Sequence, residues 1–111
     1  MNIGELLERI EKLEYHQKLL LMMASGQTLP FYRMVVEKSL DQKEVTQFFY
    51  LCDKLSKELE EQKAEGFVYF HPLYTEFKHK LHPSLKPEMV IPACLRQNLF
   101  MDLMSELKKY L

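Results

Sequence analysis

Apolar residues at Ile3, Leu6, Ile10, Leu13 and Leu20 recur in alternating steps of three and four, the a and d positions of a heptad, with Gln17 as the one polar a position. The spacing predicts a first helix over residues 1–24 with a narrow apolar seam. Glu5, Glu8, Arg9, Glu11, Lys12 and Glu14 occupy its other faces, so the wet side is as well marked as the seam. The segment Ser25-Gly26-Gln27-Thr28-Leu29-Pro30 then breaks the helix, because Gly suits the left-handed residue after a helix and Pro disfavours helix in the residue before it.

Beyond the break, residues 31–111 read as a helical core. Phe31 to Lys38 predicts a short second helix, followed by Ser39-Leu40-Asp41, where Ser39 or Asp41 can cap the next helix with Gln42 or Glu44 three residues on. In the long third helix Val45, Phe48, Phe49, Cys52, Leu55 and Leu59 form the apolar stripe, and Gly66 marks the end. Phe67-Val68-Tyr69-Phe70 is aromatic and β-branched and reads as a brief extended segment. Pro72 suits the first turn of a fourth helix carrying Leu73, Tyr74, Phe77 and Leu81. Pro87 can open a fifth, in which Pro92 removes a backbone donor and either kinks the helix or delays its start. Asn98 suits the left-handed residue that ends it, and Leu99, Phe100, Leu103, Leu107 and Tyr110 form the stripe of a last helix. The expected fold is all-α: five to six helices in one compact multihelical domain over residues 1–111, with long N-terminal and central helices.

Composition narrows the function classes. With 47% hydrophobic residues in 111, the chain can bury a core, which argues against disorder. Its formal net charge is -1, divided as 9 Lys/Arg against 12 Asp/Glu over residues 1–66 and 6 against 4 over 67–111, so no basic field concentrates nucleic acid or an anionic membrane. Cys52 and Cys94 lie in helical apolar patterns without CxxC spacing, which suits reduced thiols in the cytoplasm. An acid near the start, where a secretion signal carries bases, and an apolar run of only Leu19 to Ala24 lead us to expect a protein neither exported nor membrane-spanning.

The run Arg9-Ile10-Glu11-Lys12-Leu13-Glu14-Tyr15 through Pro30-Phe31-Tyr32 resembles the start of the YhaI-like family of small bacillary proteins, a domain of unknown function. The resemblance continues in Cys52-Asp53-Lys54-Leu55-Ser56-Lys57-Glu58-Leu59 and Gln62-Lys63-Ala64-Glu65-Gly66-Phe67-Val68, and ends at Gln97-Asn98-Leu99. It implies an all-helical fold and a bacterial cytosolic setting, and it carries no assigned activity.

Candidate chemistry is sparse. Gly66 between two helices has the place of the turn glycine of an EF-hand, but positions one, three and twelve then become Glu61, Lys63 and Pro72, which is no calcium ligand set. His71, His79 and His82, with Lys78, Lys80 and Lys86, read as a solvated basic helix end before they read as a metal or anion site, because no carboxylate or thiol is spaced to complete a tetrahedron. No base stands beside either cysteine in the sequence, and the methionines after Met1 read as core filler. Arg33 to Leu55 has a helix-turn-helix outline, yet Asp41 and Glu44 open its second helix where a DNA reader meets phosphates and bases.

The sequence therefore points to a non-catalytic protein-interaction or self-assembly module with no cofactor and no metal. Its interface residues are Ile3, Leu6, Ile10, Leu13, Gln17 and Leu20. The expected partners are a second copy of the chain and an unidentified protein; nucleic acid is disfavoured and no membrane is involved. Ile at a with Leu at d favours a parallel dimer, while Leu7 and Leu21 widen the face and leave a trimer open. The rival readings are a dimeric DNA-binding transcriptional regulator and a small-ligand binder using the Lys78 to Lys86 region.

Overall fold

Capping chemistry sets most of the helix boundaries in the computed structural model, which describes residues 1–111. Helix α1 spans Ile3–Ala24; the Asn2 side-chain oxygen accepts the Glu5 N–H at 2.8 Å, and Gly26, at φ 92°, follows its end. Helix α3, Gln42–Ala64, opens on a reciprocal capping box. Asp41 accepts the Glu44 N–H at 2.8 Å, and the Glu44 carboxylate accepts the Asp41 N–H at 2.9 Å. Gly66, at φ 91°, closes it, and the Phe67 N–H reaches back to the Gln62 carbonyl at 2.9 Å.

Helix α2, Pro30–Glu37, starts on its own proline, and its first turn is capped from a distance. The Gln97 side-chain oxygen accepts the N–H groups of Phe31 at 2.9 Å and Tyr32 at 3.2 Å, two donors that no residue near α2 in sequence satisfies. Gln97→Ala is expected to lower unfolding stability by about 1–2 kcal/mol, since it strands two partly buried donors. Chemical denaturation checks this, and a loss indistinguishable from zero would mean that water replaces the glutamine.

The remaining helices are α4 His71–Lys80, α5 Pro87–Arg96 and α6 Met101–Leu107, with a final 3-10 turn at Lys108–Tyr110. The expected all-helical architecture is therefore present, and the structure decides four local points. Ser39 does not cap α3; at φ 56° it takes the left-handed position that ends α2, leaving the cap to Asp41. Residues 67–70 connect α3 to the next helix as a non-helical segment outside any sheet, and the Phe70 N–H donates to the Tyr110 hydroxyl at 2.8 Å. Helix α5 begins at Pro87 and runs through Pro92, whose missing N–H falls opposite the exposed residue Glu88. Asn98 does end α5 in the left-handed conformation, at φ 59°, but Leu99 and Phe100 lie in the turn before α6 rather than within it.

The core forms where α3 packs on α4 and α6, and where α5 packs on α6 and α2. Phe31 and Phe48 stack with centroids 4.9 Å apart, and Phe77 meets the Phe48 ring edge-on at 6.3 Å. Leu55, Ile91 and Met104 belong to the same core cluster and have no exposure. Phe49, read as part of the stripe, is only half-buried against Phe31 and Phe100, and Leu51 is buried instead. The radius of gyration, 15.8 Å, exceeds the roughly 13 Å of a compact chain of this length. Helix α1 accounts for the excess: at about 1.5 Å per residue it is roughly 33 Å long, and among the helices it packs chiefly on α2.

Candidate functional site

Two faces of α1 carry apolar residues, and only one of them meets the domain. On the docked face His16 and Leu19 are buried, with Lys12, Tyr15 and Met23 partly covered. The His16 Nε2 lies 2.6 Å from the Leu40 carbonyl oxygen, which can only accept, so Nε2 carries the proton. Nearby, the Lys12 ammonium reaches the Ser39 hydroxyl at 3.4 Å. The Tyr15 hydroxyl is pushed up to about 12, chiefly by burial and further by Tyr32 and Asp41.

The seam lies elsewhere on the helix. Ile3 is 77% exposed, Leu13 67%, Leu20 51% and Ile10 42%, so even the best covered of them keeps much of its surface in water. Leu6 and Gln17 are exposed as well, as are the flanking Leu7 and Leu21. At about 100° per residue, the centre of the seam is roughly 130° around α1 from the centre of the docked face. Docking on the domain therefore leaves Ile3, Leu6, Ile10, Leu13, Gln17 and Leu20 together in one solvent-facing stripe. His16 escaped the sequence reading, although Tyr15, His16, Leu19 and Met23 share a second helical face that spacing alone makes visible.

The other candidate residues are dispersed. His82 donates through Nε2 to the Glu44 carboxylate at 2.5 Å and accepts the Ser84 N–H at Nδ1, so it ties the α4–α5 turn to the capping box of α3. His71 sits among Tyr69, Tyr74 and Tyr110, and His79 is exposed in the last turn of α4. No three His, Cys, Asp or Glu side chains gather as a metal-binding group. A cleft of about 420 Å³ opens between α3 and the start of α6, lined by Ser56, Lys63, Phe100 and Asp102 among others, away from the Lys78 to Lys86 region. The helix-turn-helix outline is present as α2 and α3, but Val45, Phe48, Cys52 and Leu55 commit α3 to the core, and Glu44 at its start is held by His82.

Both thiols are free and fully buried. Burial raises the Cys52 thiol far above its ordinary value, with Cys94 adding to the effect, and pushes Cys94 up to about 12. Neither is an activated nucleophile. In the unfolded chain these thiols ionise near about pH 8.5, so below that both states hold the proton and stability is undiminished. Above about pH 9 the unfolded state binds fewer protons than the native one, and stability falls as pH rises towards the folded values. The expected result is a lower denaturation midpoint at about pH 10 than at about pH 8, with native thiols inert to a thiol reagent until denaturant is added. Rapid labelling of the native protein would contradict it.

A multihelical domain bearing one long helix with a second, solvent-facing apolar stripe is the class of protein this geometry defines. Residues 3–111 match the model of a family described as "Protein of unknown function (DUF1878)", and the chain belongs to that family. No helix of the structure is long and apolar enough to cross a membrane.

Proposed function

We propose that the protein is a non-catalytic self-assembly module in which α1 pairs with α1 of a second copy through Ile3, Leu6, Ile10, Leu13, Gln17 and Leu20. The observation that carries this reading is the division of α1 into two faces, one used by the domain and one left in water. A helix needing only to sit on its own domain has no use for the second stripe. Together with Leu7 and Leu21, the seam offers on the order of 500 Å² of apolar surface per chain, or on the order of 1,000 Å² for a pair, at the lower end for a specific interface. Two unpaired thiols and the resemblance to the YhaI-like proteins support a bacterial, cytoplasmic setting for this assembly, and we read the chain as YhaI-like within its family.

Light scattering at micromolar concentration tests the reading. The expected mass is twice the 13.3 kDa of the chain. A mass of 13.3 kDa at every concentration would end it.

A further inference from the structure

We infer that the two α1 helices lie parallel and in register, with Gln17 meeting Gln17 of the second copy and Arg9 pairing with Glu14 across the interface. The inference rests on the self-association proposed above and adds its orientation. The two possible alignments put different groups opposite the polar residues of the seam. With Ile3, Ile10 and Gln17 at a and Leu6, Leu13 and Leu20 at d, Arg9 falls at g, Glu14 at e, and His16 at the next g.

In a parallel pair each a position faces its own counterpart, so the Gln17 amides lie side by side, and each can donate to and accept from the other. A g residue then faces the e residue five positions later in the other copy, so Arg9 faces Glu14 twice, related by the two-fold axis. Both side chains are exposed and neither has an ionic partner within its own chain; Arg9 makes only a weak 4.0 Å contact to the Met1 sulfur, which a carboxylate would displace. The same rule sets position 16 against Leu21, which places the 72% exposed Leu21 beside the α2–α3 turn of the second copy, where His16 meets Leu40.

An antiparallel pair with the same overlap pairs a with d, so Gln17 faces Leu6 and its amide is buried without a partner, a cost of about 1–3 kcal/mol for each copy. In that arrangement g faces g and e faces e. Arg9 then meets His16, which the domain already holds, and Glu14 meets Leu7. The antiparallel alignment offers no opposite-charge pair and strands two amides, whereas the parallel one satisfies both. Because the docked face lies away from the seam, the two domains stand on opposite outer sides of the parallel pair, towards the C-terminal end of α1.

Charge reversal and cross-linking in the full-length protein test the orientation. Arg9→Glu and Glu14→Arg should each weaken dimerisation roughly tenfold by setting like charges opposite each other, while the double exchange Arg9→Glu/Glu14→Arg restores it. Leu13→Cys alone should form a disulfide-linked dimer in a redox buffer, because the native thiols are buried and position 13 faces itself. An equal mixture of Ile10→Cys and Leu13→Cys chains should give only like-with-like products. If the wild-type protein is dimeric but the mixture gives the Ile10→Cys to Leu13→Cys product and the double exchange gives no rescue, the parallel alignment is overturned and self-association stands. If the wild-type protein is monomeric at every concentration, the self-association reading itself falls.

Discussion

Ile10→Asp should convert the protein into a folded monomer. The aspartate would sit at the centre of the seam, where pairing two copies buries two carboxylates against each other, and a cost of about 3 kcal/mol or more weakens dimerisation at least about a hundredfold. Within a single chain the same position is 42% exposed and outside the core, so the variant should keep its helical content and the cooperative unfolding of the domain. Sedimentation together with circular dichroism separates the two effects. An Ile10→Asp chain that unfolds at low concentration would place the seam inside the domain. One that still dimerises would remove Ile10 from the interface.

Phe77→Ala should have the largest effect on folding, lowering stability by about 3–5 kcal/mol through lost transfer energy and the cavity left behind. Phe77 is fully buried on α4 and meets the edge of Phe48, so its removal opens the junction of α3 and α4. Against a total stability of about 5–15 kcal/mol for a domain of this kind, that is a third or more of what holds the native state. Phe49→Ala provides the internal comparison. Its ring is half-buried, and a loss of about 1–2 kcal/mol is expected because solvent already reaches part of the site. Urea denaturation of the two variants decides the matter, and equal losses would show that the helical phase of α3 differs from the one described.

What the sequence made legible was the part governed by neighbours in the chain. The ends of α1 and α3 could be placed because Gly26, Gly66 and the Asp41/Glu44 box act within four residues of the boundaries they set. The seam of α1 was legible because a heptad is a local pattern. The rest depended on distant partners. Gln97 caps α2 across 66 positions, Tyr110 accepts the Phe70 N–H across 40, and His16 finds the Leu40 carbonyl across 24. No window along the chain contains such pairs. Ser39 and Phe100 were misplaced for a related reason: both adopt positive φ, at 56° and 49°, which neither residue type favours, and surrounding packing decides where such a conformation is tolerated.

Anchoring confined to the second half gives α1 two regions of different local stability. From Lys12 to Met23 the domain holds the helix through Tyr15, His16 and Leu19, so amide protons there exchange only when the docked face comes away. From Ile3 to Glu11 every residue is exposed, and a free stretch of nine residues is shorter than the roughly 12–15 at which an isolated helix becomes even marginal in water. In a lone chain these first turns should therefore fray and exchange quickly with deuterium, and pairing along Ile3 to Leu20 should slow them most, because the domain already holds the turns below. Exchange along this one helix thus reports encounter with another chain most sharply in its first turns, and opening of the domain in its last.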